Sequence, residues 1–335
     1  MTSDTTRTPQ RPLGSGFGAT TTAAEVVSGL DLTGTNVIVT GGYSGLGLEV
    51  TRALAGVGAS VCVPARRPEH ARTVLDAEGL AAVEVDELDL ADLTSVAAFA
   101  SRYVASGRPL GILINNAAVM AAPLALVGSG WESQFATNHL GHYVLTNLLW
   151  PALRRWPALR AGQSARVVEL SSTGHKLSGI RFDDLAFADG YDKWQAYGQA
   201  KTANSLFAVA LDARGRAEGV RAFAVHPGGI MTPLQRHLSR DEMIASGWMT
   251  DDGVVNARFK SPEQGAATTV WAATSAQLDG LGGVYCEDVD IASPTVVGSD
   301  EARLRGVDAH AIDPALAERL WAVSAGLTGV DAFAR

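Results

Sequence analysis

The feature that most restricts the possible folds is an alternation. Short β-branched runs take turns with longer stretches of helical periodicity along most of the 335 residues. Strands are expected at Asn36–Thr40, Ser60–Ala65, Val83–Leu88, Gly111–Asn115, Arg166–Leu170, Val220–Val225 and Gly283–Cys286. Helices are expected at Leu46–Gly56, Pro68–Glu78, Leu93–Ser106, Trp131–Leu149, Trp194–Glu218 and Pro262–Thr274. Runs such as Val37-Ile38-Val39 and Ile112-Leu113-Ile114 are apolar at every position, as a parallel strand covered on both faces requires. Right-handed crossovers then wind the chain into an α/β fold of Rossmann type. The expected sheet is doubly wound, of about seven parallel strands, with helices on both faces and a ligand crevice at the strand C-termini.

No low-complexity linker interrupts residues 31–293, so one catalytic domain is expected there. Residues 1–30 open with a stretch rich in Thr, Gly, Pro and Ser that lacks a signal peptide's apolar core; they read as a mobile lead-in. Residues 230–260, with Pro233, Gly247 and Gly253, read as an insertion lying over the crevice, in which Met231, Leu234, Leu238, Met243 and Trp248 can exclude water. Residues 294–335 carry Leu, Ala and Trp at helical intervals and read as a C-terminal helical appendage. No apolar stretch reaches the roughly 20 residues of a membrane-spanning helix. A net charge of −8 argues against a nucleic-acid binder, yet leaves room for a local basic spot facing one anionic cofactor. Cys62 and Cys286 sit far apart in apolar runs as free thiols, which suits a reducing cytoplasm. His139, His142, His175 and His226 lack ligand spacing, so no metal site is expected.

Directly after the first strand comes Thr40-Gly41-Gly42-Tyr43-Ser44-Gly45-Leu46-Gly47, opening a helix. Glycines there let backbone approach a pyrophosphate, and the helix N-terminus supplies aligned N–H donors. The spacing differs from G-x-G-x-x-G, and a tight strand-to-helix turn would use similar residues. The second strand ends in Pro64-Ala65-Arg66-Arg67. An acid near that point would bind the ribose hydroxyls of NAD, whereas a guanidinium suits a 2′-phosphate. NADP(H) is therefore preferred, NAD(H) being the alternative, and Arg66 follows the strand most closely.

Tyr197 and Lys201 stand at i, i+4 in what reads as a long amphipathic helix, so both face one way. A nearby ammonium lowers a phenol's pKa and fits it for proton transfer to a carbonyl oxygen. Ser171 and Ser172 end a strand at the ligand edge, where a hydroxyl can bind a developing alkoxide. Ser172 is chosen, with Ser171 the alternate. The amides of Asn115 and Asn116 can brace neighbouring strands. Asn138 falls inside an expected helix, where Asn is unfavourable, and this suggests a polar task such as holding a relay water for Lys201.

In order and spacing, TGGYSGLG, Asp89-Leu90, NNAA at Asn115–Ala118, Asn138, the serine pair, YGQAK and His226-Pro227-Gly228-Gly229 leading to Thr232 resemble the short-chain dehydrogenase/reductase family from about Leu32 to Cys286. The resemblance implies a catalytic tetrad of Asn138, Ser172, Tyr197 and Lys201. It also implies cofactor contacts from Gly41, Tyr43, Ser44, Gly45, Leu46 and Gly47, and from Arg66 on the ribose. Asp89 and Leu90 would lie at the adenine edge, Asn116 and Ala117 beside them. Tyr197 and Lys201 would reach the nicotinamide ribose, and Pro227, Gly228, Ile230 and Thr232 its amide or the phosphates. Ala118 stands where the family usually has glycine. The segment Gly174–Trp194 and the lead-in resemble the retinol-dehydrogenase-like and WW-domain-oxidoreductase-like branch. The implied activity is NADP(H)-dependent hydride transfer on a small apolar alcohol, ketone or aldehyde. A cofactor-sensing binding protein or an enone reductase are the rivals. Homodimers or homotetramers are common in the family.

Overall fold

In the computed structural model, residues 7–160 and 162–334 are described. The first half runs α1 (Ala23–Val27), β1 (Asn36–Val39), α2 (Gly45–Gly56), β2 (Ser60–Ala65), α3 (Pro68–Ala77), β3 (Glu84–Glu87), α4 (Leu93–Ala105) and β4 (Ile112–Asn115). A small hairpin follows, β5 (Leu126–Val127) and β6 (Trp131–Glu132), then α5 (Ser133–Phe135), α6 (Gly141–Leu148) and α7 (Trp150–Leu159). The second half runs β7 (Ala165–Leu170), α8 (Lys193–Gly215), β8 (Val220–Val225), α9 (Arg240–Ala245), α10 (Pro262–Thr274), β9 (Val284–Glu287), β10 (Asp290–Ile291) and α11 (Pro314–Thr328).

The main sheet has the order β10-β9-β8-β7-β4-β1-β2-β3. All neighbours are parallel except β10, which turns back antiparallel on β9 through Glu287 and Cys286. The sheet thus has eight strands rather than about seven; β10 is two residues long, too short to show a period. The chain moves outward from β1 to β3 and then crosses to β4 on the other side of β1. This reversal opens a crevice at the C-terminal ends of β1 and β4, the place where such sheets bind ligands.

Three other expectations change. The single helix expected over 131–149 is β6, α5, a π-helical turn at Ala136–Leu140 and α6. Buried Glu132 caps the first turn by accepting from the N–H of Gln134 (2.9 Å) and Phe135 (2.8 Å), which starts the helix two residues late. Next, α8 is buried nearly all round from Ala196 to Asp212, so it lacks the two-faced pattern expected of it. The cause is α11, which covers its outer side. Trp321 stacks on Phe207 (5.7 Å) and meets Tyr143 edge-on (5.0 Å), inside the main core cluster. Within the C-terminal stretch, α11 thus packs into the core, while Val296, Val297 and Leu304 before it are exposed; burying one large apolar side chain contributes about 1.5–3 kcal/mol.

Of the lead-in, residues 1–6 lie outside the described residues. Residues 7–30, expected to be mobile, are held: the part up to Ser15 lies along the sheet edge, and α1 packs on α10 and α2 with Ala23, Val26 and Val27 buried. The Gln10 amide donates to the carbonyls of Tyr285 and Ala292 (2.7 Å each) and accepts from the Tyr285 N–H (2.9 Å). The Asp290 carboxylate accepts from the N–H groups of Leu13 (2.8 Å) and Gly14 (2.9 Å). Composition pointed to a loose segment, but an open sheet edge offers backbone partners that a polar chain can satisfy.

Candidate active site

The crevice begins at Thr40, just past β1. Its hydroxyl accepts from the N–H groups of Asn116 (2.9 Å) and Ala117 (3.0 Å), while the Asn116 amide donates to the Thr40 carbonyl (2.8 Å). Asn115 faces the other way, donating to the Thr146 hydroxyl (3.0 Å) and to the Glu169 carboxyl. The asparagine pair therefore braces β1, β4 and β7. Over this frame the glycine loop closes tightly. A Cβ on Gly47 would fall 2.5 Å from Asn116 Nδ2, and one on Gly45, itself left-handed at φ +51°, would fall 3.2 Å from Thr232 Cβ. Ala118 does not adopt a positive φ; the strained residue of that turn is buried Ala121, at φ +48°.

A cavity of about 2320 Å³ follows the strand ends. Drug-sized ligands occupy roughly 300–1,000 Å³, so there is room for a dinucleotide and a second molecule together. Gly41, Tyr43, Ser44, Gly45, Leu46, Gly47, Arg66, Asp89, Leu90, Asn116 and Ala117 line one end. Pro227, Gly228, Ile230 and Thr232 line it further along, with Ser172, Tyr197 and Lys201. Of the residues expected in the site, Asn138 does not line the cavity. Its side chain is committed to Val119, donating to that carbonyl (2.9 Å) and accepting from that N–H (2.8 Å). This pair of bonds fixes the turn after β4. Its own carbonyl meets His142 Nδ1 (3.0 Å), whose Nε2 meets the Thr40 hydroxyl (2.9 Å). Burial pushes His142 down to about 4, so it is a neutral linker.

At the chemistry end, the Ser172 hydroxyl and the Tyr197 ring lie side by side, both within 3.4 Å of where a Cβ on Gly174 would stand. Ser171 instead donates to the Lys201 carbonyl (2.8 Å) and accepts from Ser205 (2.8 Å), so Ser172 is the serine paired with tyrosine. Gly174 makes that pairing fit: a Cβ there would lie 2.7 Å from Tyr197 Cε1. Lys201 is buried, donates to the Leu170 carbonyl (2.7 Å) and keeps its ammonium 5.7 Å from the Tyr197 ring centre. Burial pushes Tyr197 up to about 12, with the neighbouring Ser172 hydroxyl acting the other way, so the expected depression by Lys201 is not found in this geometry. Desolvation of the phenol outweighs an ammonium already engaged elsewhere. Lys201 is in turn pushed down to about 8 by burial, and the charge opposing that is Glu169.

Glu169 was missed from sequence, although a carboxylate directly after Val167-Val168 in the strand Ala165–Leu170 is a visible signal. It is fully buried, has one carboxyl oxygen without a partner, and is pushed up to about 8 by burial. Trp248 was expected in the lid, but the aromatic wall that it forms beside Tyr197 was missed. Trp194 meets Tyr197 edge-on (6.4 Å) and Trp248 (5.9 Å), and Trp248 meets Phe259 (5.8 Å). Of the apolar lid residues expected, Leu234, Leu238 and Trp248 pack with Met120 and Tyr197; Met231 and Met243 do not join that cluster. Among the described residues, no group of three His, Cys, Asp or Glu side chains could hold a metal ion, and no helix is long and apolar enough to cross a membrane.

The short chain dehydrogenase family model matches residues 35–243. The Streptomyces lividans protein named "Probable oxidoreductase" is 45% identical over 299 residues, covering 87% of this chain and 97% of that one. Retinol dehydrogenase 12 of Mus musculus is 37% identical over 305 residues, covering 90% and 88%. A crystal structure from Mycobacterium paratuberculosis superposes with a TM-score of 0.69 at 34% identity, covering 93% of this chain and 98% of that one. The chain belongs to the short-chain dehydrogenase/reductase family and is an NAD(P)-dependent oxidoreductase.

Proposed function

We propose that the protein is an NADP(H)-dependent dehydrogenase or reductase of small apolar alcohols, ketones or aldehydes, with Tyr197 as general acid and base. The observation that carries this reading is the Ser172–Tyr197 hydroxyl pair, facing an aromatic wall on one side with Lys201 behind it. A dinucleotide suits the other end of the cavity, where Gly47 leaves room that a Cβ would fill and Arg66 has no carboxylate within ion-pair distance among the described residues. When bound there, the nicotinamide ring gives or accepts the hydride.

The protein's own residues handle the oxygen and the proton. Tyr197, held protonated by burial, donates to a carbonyl oxygen, while the Ser172 hydroxyl donates a second hydrogen bond to it. As the phenol loses its proton, the Lys201 ammonium on the same helix stabilises the negative charge. Trp194, Trp248 and Phe259 exclude water and favour an apolar substrate body. The test is NADPH absorbance against a panel of ketones, aldehydes and enones. Turnover of carbonyls with little or none of enones is expected; tight NADPH binding with no turnover of any compound overturns the reading.

A further inference from the structure

The lid carries an arginine that the catalytic reading does not use. Thr232 seats against Gly45 of the glycine loop and caps the single 3-10 turn Pro233–His237, which therefore starts at the cofactor cradle. Arg236 lies on that turn and lines the same cavity as Tyr43, Arg66, Arg67 and His70. It is exposed, and among the described residues its one hydrogen bond is a 3.3 Å contact from Nη1 to the Pro233 carbonyl. Many arginines are ion-paired, such as Arg52 with Glu78, Arg72 with Asp76, Arg102 with Asp86 and Arg108 with Glu84, whereas Arg258 and Arg303, which line the same cavity further along, have no carboxylate partner among the described residues. Arg66, Arg67 and Arg236 have no such partner among the described residues. The cavity's nearest acid by sequence, Asp89, turns its carboxylate to the Ala91 N–H (2.9 Å). Partial burial, then the like charge of Arg66, holds the Arg236 guanidinium below its ordinary value, with Tyr43 acting the other way. Unmatched cations that line one cavity and repel each other are a cost that a dianion bound by both removes.

We propose that Arg236 is a specificity-determining residue that shares the 2′-phosphate of the adenosine ribose with Arg66, so that the group distinguishing NADP(H) from NAD(H) also draws the lid against the crevice. The proposal rests on the NADP(H) reading and adds to it a contact from the lid. Two guanidinium forks on one phosphomonoester provide paired, charge-assisted donors. A cofactor without that phosphate leaves Arg236 with nothing to hold.

The experiment measures NADPH, NADH and 2′,5′-ADP binding by tryptophan fluorescence for the wild type, Arg66→Ala, Arg236→Ala, Arg236→Gln and the Arg66/Arg236 double alanine variant. Loss of a charged hydrogen-bond donor predicts that either Arg236 variant weakens NADPH and 2′,5′-ADP by about tenfold. NADH binding should stay unchanged, and the double variant should lose less than the product of the single losses. Trypsin should cut the lid more slowly with 2′,5′-ADP present in the wild type, but not in Arg236→Gln. If Arg66→Ala erases a clear NADPH preference while Arg236→Ala and Arg236→Gln leave it intact, the lid contact is wrong and the NADP(H) reading stands. If the wild type binds NADH as tightly as NADPH, both fall together.

Discussion

On the cofactor side of the crevice, contacts come from backbone and short side chains at the ends of adjacent strands: Thr40, Asn116 and the glycine loop, locked by bonds of 2.8–3.0 Å. On the substrate side, the wall comes from large side chains on segments far apart in the chain: Trp194 on α8, Trp248 and Phe259 in the lid, and the loop from Pro294 to Arg305. The first half is part of the sheet and cannot change without disturbing it. The second hangs from the sheet through few ties, such as the Ile230–Lys260 bridge and the Lys193–Glu242 ion pair. Rigid positioning of cofactor and hydroxyls with a replaceable wall lets one reaction serve different substrates.

The sharpest way to separate the two halves is Tyr197→Phe. Turnover should fall by about 10³-fold, the scale of general acid–base catalysis, while NADPH affinity measured by fluorescence stays unchanged. A parallel loss of cofactor binding would show that the halves are not independent. Gly174→Ala tests the junction between them. Its Cβ must displace either the Tyr197 ring or the turn after β7, and a displacement near 1 Å should lower kcat by about 10²-fold. Stopped-flow kinetics should find this loss in the chemical step. Arg66→Asp acts on the cofactor side alone: NADPH should weaken by roughly 10-fold or more and the preference move toward NADH, read from kcat/KM with each cofactor.

The smallest effect belongs to Glu169→Gln. Glu169 is the carboxylate that raises Lys201, so its removal should move the alkaline limb of the kcat/KM profile to lower pH. The polar groups facing it are Lys201, from α8, and Asn115, itself held by Thr146. Stability supplies a second reading. Because the folded pKa is raised from 4.5 to about 8, the unfolded chain ionises first, and wild-type stability declines as pH climbs through that window. Glutamine has no proton to lose, so the melting temperature of Glu169→Gln should gain on the wild type from about pH 4.5 to about pH 8 and run level with it beyond. A constant gap across this range would mean that the carboxyl does not titrate as described.

Much of the cofactor half was readable because its signals are local. A glycine loop after a strand, an asparagine pair at a strand end and a tyrosine four residues before a lysine each carry meaning within a few residues. The substrate half depends on contacts between distant segments. Nothing around Trp194 names Trp248 as its neighbour, and Arg236 looks like any lid arginine until Thr232 is seen against Gly45. Asn138 was noticed for a sound reason, its poor fit to a helix, but the partner that explains it, Val119, lies nineteen positions away. The break in the helix expected over 131–149 likewise turns on a buried glutamate cap, not on any change in apolar period.

The Gln10 amide and the Asp290 carboxylate have a further effect. The Gln10 amide occupies backbone groups at the sheet edge that another strand would otherwise seek, and the Asp290 carboxylate holds the segment there by accepting from Leu13 and Gly14. A polypeptide started at Gly16 would keep α1 and every group assigned to catalysis and still expose an unfinished sheet. Such a truncated enzyme should turn over normally when dilute and clump when concentrated, its fault being solubility rather than chemistry.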